Sequence, residues 1–198
     1  MNIEQGYRIN NKKLEHWSAL LKKWLFLIKK YSSLMEGEDA PYYYSERPNI
    51  GVLAGAAWKV GWLALEEFGV KKRAKKQARA DLWIYPIELE MGEYIEAKQA
   101  WRVNKAEDKL DQAVKAAREI SKNESYLRIG ILFLCPSINE KYELKINEKI
   151  KEVINATLEI ECDALAWSFP VSTRKLRGTG RSKHVIYPGV ILLAKVVD

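Results

Sequence analysis

Apolar residues recur at helical spacing over residues 12–31, where Leu14, Trp17, Leu21, Trp24, Ile28 and Tyr31 share one stripe and Lys22, Lys23, Lys29 and Lys30 take the other side. The stripe predicts an amphipathic helix docked on a core with its lysines in solvent. Residues 37–48, with Pro41, Tyr42, Tyr43, Tyr44 and Pro48, read as a connecting loop. Asn49 then offers a helix cap, and residues 50–68 are apolar almost all round, which predicts a buried helix. Leu53, Ala56, Val60 and Leu63 form a stripe whose next member is Glu67, whereas Glu66 continues the side of Lys59. A carboxylate that extends an apolar stripe needs a partner or a metal, since unpaired burial is costly. Glu67 therefore ranks above Glu66 as a site residue.

Beyond this point the pattern changes to strand character. Residues 70–74 predict a short strand paired with one at 79–85, and residues 93–101, with Tyr94, Ile95 and Trp101, predict a third. Asn104-Lys105-Ala106-Glu107 has the form of a capping box, and Ala106, Leu110, Ala113, Ala117 and Ile120 stripe a helix that ends near Lys122. Residues 127–135 are a continuous apolar run closed by Pro136, as expected of a strand covered on both faces. From 49 to 136 the order is thus helix, strand, strand, strand, helix, strand. It predicts an α/β fold, a central mixed β-sheet flanked by helices, with an N-terminal helix before it. A C-terminal β extension over 137–198 adds a charged helix near 144–157 and strands at 164–169 and 185–197.

At 198 residues and 47% apolar content the chain suits a single domain, 1–198, with a substantial core. A net charge of +7 favours polyanionic partners, nucleic acid first and an acidic membrane surface second. Cys135 and Cys162 are not at a metal-binding spacing and read as reduced core residues. Residues 1–13 lack the apolar stretch of a signal peptide, and the apolar run 50–65 is too short to span a bilayer. A cytoplasmic protein without membrane insertion is the expectation, with a homodimer as one arrangement open to it.

The candidate chemistry lies in the two predicted strands at 79–85 and 93–101. Glu96 and Lys98 are two apart and share a face, with Ala97 on the other. If residues 86–91 join the strands as a hairpin, Asp81 falls opposite Glu96 and shares that face; one more loop residue would turn it away. Two acids and a lysine so placed can hold a divalent metal beside a scissile phosphate. The same spacing recurs at Glu107-Asp108-Lys109 and Glu143-Leu144-Lys145, but the first of these reads as helix, where residues two apart diverge by about 200°. Lys71, Lys72, Arg73, Lys75, Lys76 and Arg79 feed into Asp81 and suit a phosphate backbone. Residues 172–184, with Arg174, Lys175, Arg177, Arg181 and Lys183 around Gly178 and Gly180, read as a basic loop that clamps nucleic acid.

The order of elements, with Asp81 in the second strand and Glu96-Ala97-Lys98 in the third, resembles the αβββαβ core of the PD-(D/E)XK nuclease superfamily, the restriction-endonuclease-like fold. The resemblance covers roughly 49–136, with Ala80 where the motif has proline. It implies that Asp81, Glu96 and the Ala97 carbonyl bind Mg²⁺ or Mn²⁺, with Glu67 or Glu66 as the helix acid, Lys98 beside the phosphoryl oxygens and Gln99 positioning substrate. The implied activity is hydrolysis of DNA phosphodiester bonds by a metal-activated water. A non-catalytic nucleic-acid-binding protein and a protein-interaction module are the alternatives from other classes.

Overall fold

The computed structural model describes residues 3–72, 75–121 and 126–197. Strand β1 (Gln5–Ile9) is followed by a 3-10 turn, Lys12–Leu14, and helices α1 (Trp17–Leu34) and α2 (Glu46–Lys59). Strands β2 (Leu63–Lys72), β3 (Lys75–Tyr85) and β4 (Gly92–Ala100) come next, then helix α3 (Ala106–Arg118) and strand β5 (Tyr126–Leu134). The chain continues through β6 (Ile138–Asn139), helix α4 (Ile146–Leu158), β7 (Ala164–Ser168), β8 (Val185–Ile186) and β9 (Val190–Val196). Seven strands form one mixed sheet in the order β1-β7-β9-β5-β4-β3-β2, and β6 pairs with β8 apart from it. Only β4 and β5 run parallel, joined by α3; the other neighbours in the sheet are antiparallel.

The pleat sorts the core into two layers. Leu82 and Ile84 of β3, with Ile95 and Ala97 of β4, pack beneath α1 and α2 against Trp17, Leu21, Trp24 and Leu53. On the opposite face Leu132 and Leu134 of β5 and Leu193 of β9 meet Leu110 of α3 and Ile150 of α4. The α/β architecture, a central mixed sheet flanked by helices, is as expected from the sequence. Among the described residues no helix is long and apolar enough to cross a membrane.

Several boundaries depart from the sequence reading. The helix expected over 50–68 covers Glu46–Lys59, and Leu63–Lys72 is a strand. The stop is a Schellman closure: Gly61, at φ +89°, donates its N–H to the Trp58 carbonyl, and the Trp62 N–H bonds to the Ala57 carbonyl. Glycine takes that left-handed conformation without the steric cost a side chain would meet. Asn49 is inside the helix rather than its cap, and its side-chain amide donates to the Ser45 carbonyl at 3.0 Å. Residues 70–72 of the strand expected at 70–74 are the outer part of β2, with 73 and 74 outside the described residues; the strand pairs with β3 as foreseen, Gly69 opposite Arg79 and Val70 opposite Ala78. The capping box before α3 does not form, because Val103–Lys105 is a 3-10 turn and no side chain caps the helix. Tyr187, Pro188 and Gly189 split the last strand into β8 and β9, since proline lacks the N–H a ladder requires. Strand β1, read from sequence as polar N-terminus, lies on the sheet edge beside β7.

Candidate active site

The six residues between Tyr85 and Gly92 set the register of the β3–β4 hairpin. Leu82 faces Ile95, Trp83 faces Tyr94 and Ile84 faces Glu93, so one further step sets Asp81 opposite Glu96. Among the described residues the ladder between these strands ends at Leu82 and Ile95. Beyond it the Ala97 N–H donates to Asp81 Oδ2 at 2.7 Å, a side chain standing where a backbone carbonyl would continue the sheet. The strands fork there, and the candidate residues line the fork.

Glu96 points toward the α3 layer and is 5% exposed. Its neighbour on β5 is Gly130, where a Cβ would stand 2.5 Å from the Val114 nitrogen; the missing side chain lets the α3 backbone lie on the sheet beside Glu96. Burial pushes the Glu96 carboxyl above the ordinary range, with the Asp81 charge adding to the rise and the Lys72 ammonium opposing it. Lys72 Nζ is 2.6 Å from Glu96 Oε1 as an ion pair, yet that buried oxygen accepts no well-directed hydrogen bond. Lys98 Nζ donates to the Ala97 carbonyl at 2.5 Å.

Lys98 also approaches Glu46 Oε1, at 3.9 Å. Glu46 occupies the first turn of α2, and it is the carboxylate that Lys98 meets from the helix layer, a contact the sequence reading missed. Burial raises its carboxyl pKa, Lys98 opposes the rise, and Asp81 and Glu96 add to it. The signal was Ser45-Glu46-Arg47-Pro48, a capping residue with proline in the following turn, a place where proline is tolerated.

Glu67 is not a helix acid. It lies on β2 at φ +54°, and Arg79 is 3.6 Å from it in a solvent-exposed pair. Glu66 is likewise exposed on β2. Gln99 faces the α2 layer, where its amide bonds the Tyr42 carbonyl at 3.4 Å, so it does not line the fork.

The basic candidates divide. Lys72 turns inward to Glu96, whereas Arg79 is 70% exposed. Arg177 is held by Glu140 and Glu143, and His184 by Glu140, which ties the loop at 172–184 back to the turn before α4. Arg177, expected to clamp a ligand, is thus engaged by two acids in a half-exposed ion pair. Arg174 and Lys175 line a cavity of about 250 Å³ with Glu143 and Ile146. Arg73 and the side chains of Lys75, Lys76 and Arg181 lie outside the described residues.

Among the described residues no three His, Cys, Asp or Glu side chains converge to hold a metal ion. The fork nevertheless offers hard oxygen donors: the Asp81 and Glu96 carboxylates and the Ala97 carbonyl. Lysine ammonium groups sit on two of them, Lys72 on Glu96 Oε1 and Lys98 on the Ala97 carbonyl. Such a set fits Mg²⁺, which binds through one or two carboxylates and keeps several waters. Compared with models of protein families, with curated proteins and with solved structures, the chain matches none.

Proposed function

We propose that the chain is a metal-dependent nuclease of the PD-(D/E)XK kind that hydrolyses phosphodiester bonds of DNA. The observation that carries the reading is the fork itself: Asp81, Glu96, the Ala97 carbonyl and Lys98 gathered where β3 and β4 part. Asp81, Glu96 and the Ala97 carbonyl would hold Mg²⁺ or Mn²⁺. A cation bound there supplies a water of lowered pKa and neutralises phosphate charge.

The chain's own residues account for the remaining roles. Ala97 N–H fixes the Asp81 carboxylate in the fork. Lys98 brings a cation to where charge grows on the phosphoryl oxygens, and a fixed charge there needs little reorganisation. Glu46 orients Lys98 from the start of α2. Lys72 balances the buried Glu96 charge while no substrate or metal does so.

One observation favours a non-catalytic nucleic-acid-binding protein instead, namely that no third acid converges on Asp81 and Glu96 among the described residues. Purified protein incubated with DNA and Mg²⁺ or Mn²⁺ separates the readings. Cleavage is expected, and Asp81→Asn and Lys98→Ala should each lower it by about 100-fold or more with the circular dichroism spectrum unchanged. Equal cleavage by either variant would sink the nuclease reading. Salt-sensitive binding with no cleavage would leave the non-catalytic one.

A further inference from the structure

We infer that the sheet surface running from Asp81 along β3 is a stacking platform for unpaired nucleotides, so that the preferred substrate presents single-stranded DNA next to the scissile phosphate. The inference rests on the nuclease reading for where that phosphate sits. Asp81, Trp83 and Tyr85 alternate along β3 and share a face. Tyr94 stands opposite Trp83 on β4. The Phe68 ring stacks on Trp83 with centroids 4.9 Å apart and planes 20° from parallel, and Tyr85 follows at 5.8 Å from Trp83.

This face should be polar if it met only water. On β2 the partners of Tyr85 and Trp83 are Leu63 and Leu65, 40% and 50% exposed. On this side of the sheet α3 packs against β4, β5 and β9, and β2 and β3 extend past it. The other face of the same strands holds Ala64, Leu82 and Ile84 beneath α2. Over 63–65 and 82–85 both faces of β2 and β3 are therefore apolar, the pattern of strands that are covered on both sides.

Charge and continuity identify what covers the outer face. The strip begins on the strand that carries Asp81, so a chain whose phosphate reached the fork would pass over Trp83 next. Arg79 flanks it in solvent and Lys98 stands at its inner end. A second copy would bring one surface of a +7 chain against another. Residues two apart on a strand are separated by about 6.8 Å, twice the ~3.4 Å rise of stacked bases. Bases resting on successive rings must therefore be parted from each other, as in a single strand and not a duplex. Aromatic faces accept any base, which predicts preference for strandedness without preference for sequence.

The test compares binding of a single-stranded oligonucleotide carrying a fluorescent aminopurine base with binding of a blunt duplex of the same sequence, in EDTA so that nothing is cut. The wild-type chain should quench the fluorophore and bind the single strand more tightly. Trp83→Leu and Tyr85→Leu should each reduce the single-strand to duplex affinity ratio by about tenfold. Trp83→Phe, which keeps a ring, should restore most of it. Phe26→Ser, on the outer side of α1, should keep the wild-type ratio and so controls for surface change. An unchanged ratio in Trp83→Leu overturns the inference. So does a concentration-dependent dimer of the wild type that Trp83→Leu dissolves, which would make a second copy the occupant. Because binding in EDTA needs no cleavage, the two readings fail separately: a Trp83-dependent preference without any nuclease activity removes catalysis only, and cleavage without that preference removes the platform only.

Discussion

Glu96 is the residue at which stability and the proposed chemistry pull apart. Burial raises its pKa, so the folded chain holds that proton more tightly than the unfolded chain does. For this group stability therefore falls as pH rises from the ordinary carboxylate range through the raised value, and the full cost is present above it. Glu96→Gln removes the buried charge and keeps the shape; Lys72, on the rim of the fork, can turn to solvent. The variant should melt about 2–4 °C above the wild type at pH 8, the effect of roughly 1 kcal/mol in a chain of this size. The gap should close near pH 4, where both side chains are neutral. Millimolar Mg²⁺ should also narrow it at pH 8, since a ligand that binds only the folded wild type raises only its melting temperature. Calorimetry at the two pH values, with and without Mg²⁺, checks all of this. A Glu96→Gln variant less stable than wild type at pH 8 would show that the Lys72 pair outweighs the burial cost.

Elements bring these residues together, and two glycines show how narrowly. Gly61→Ala forces a side chain onto φ +89° at the closure of α2 and should cost about 1 kcal/mol, lowering the denaturation midpoint with the slope unchanged. Gly130→Ala should cost more, about 1–3 kcal/mol, because its Cβ would meet the α3 backbone, which cannot rotate away as a side chain can. Urea titration of both variants orders the two effects. The contrast also explains what the sequence disclosed. The β3–β4 hairpin was legible up to its register, which turned on whether residues 86–91 form the whole loop, and in the structure they do. Helix α2 was misread because an apolar run shows no period, and only Gly61 marks where helix gives way to strand. The same misreading assigned Glu67, a strand residue, to the helix and passed over Glu46 in the helix's true first turn. Strand β1 stayed hidden because an edge strand with one covered side has little apolar pattern to show.

For the whole molecule, a net +7 does not say which cations a polyanion can reach, because the structure engages them unequally. Arg177 is committed to two glutamates and Lys72 to a buried one. Arg79 is 70% exposed and 3.6 Å from Glu67, so a phosphate can displace that acid at little cost. Binding to duplex DNA releases counterions in proportion to the phosphates neutralised, about 0.9 in the log–log salt slope for each contact. Arg79→Ala should then flatten that slope by about one contact. Arg177→Ala should leave it unchanged and instead lower the melting temperature by a few degrees at most, since a half-exposed ion pair contributes no more than about 1 kcal/mol. Measuring the affinity of both variants from low to moderate salt distinguishes a cation that meets DNA from one that fastens the loop at 172–184 to the turn before α4. If Arg177→Ala flattened the slope as much as Arg79→Ala, the Glu140 and Glu143 pairs would be a resting arrangement that DNA breaks. The loop would then be a clamp that closes only when its arginine leaves those acids.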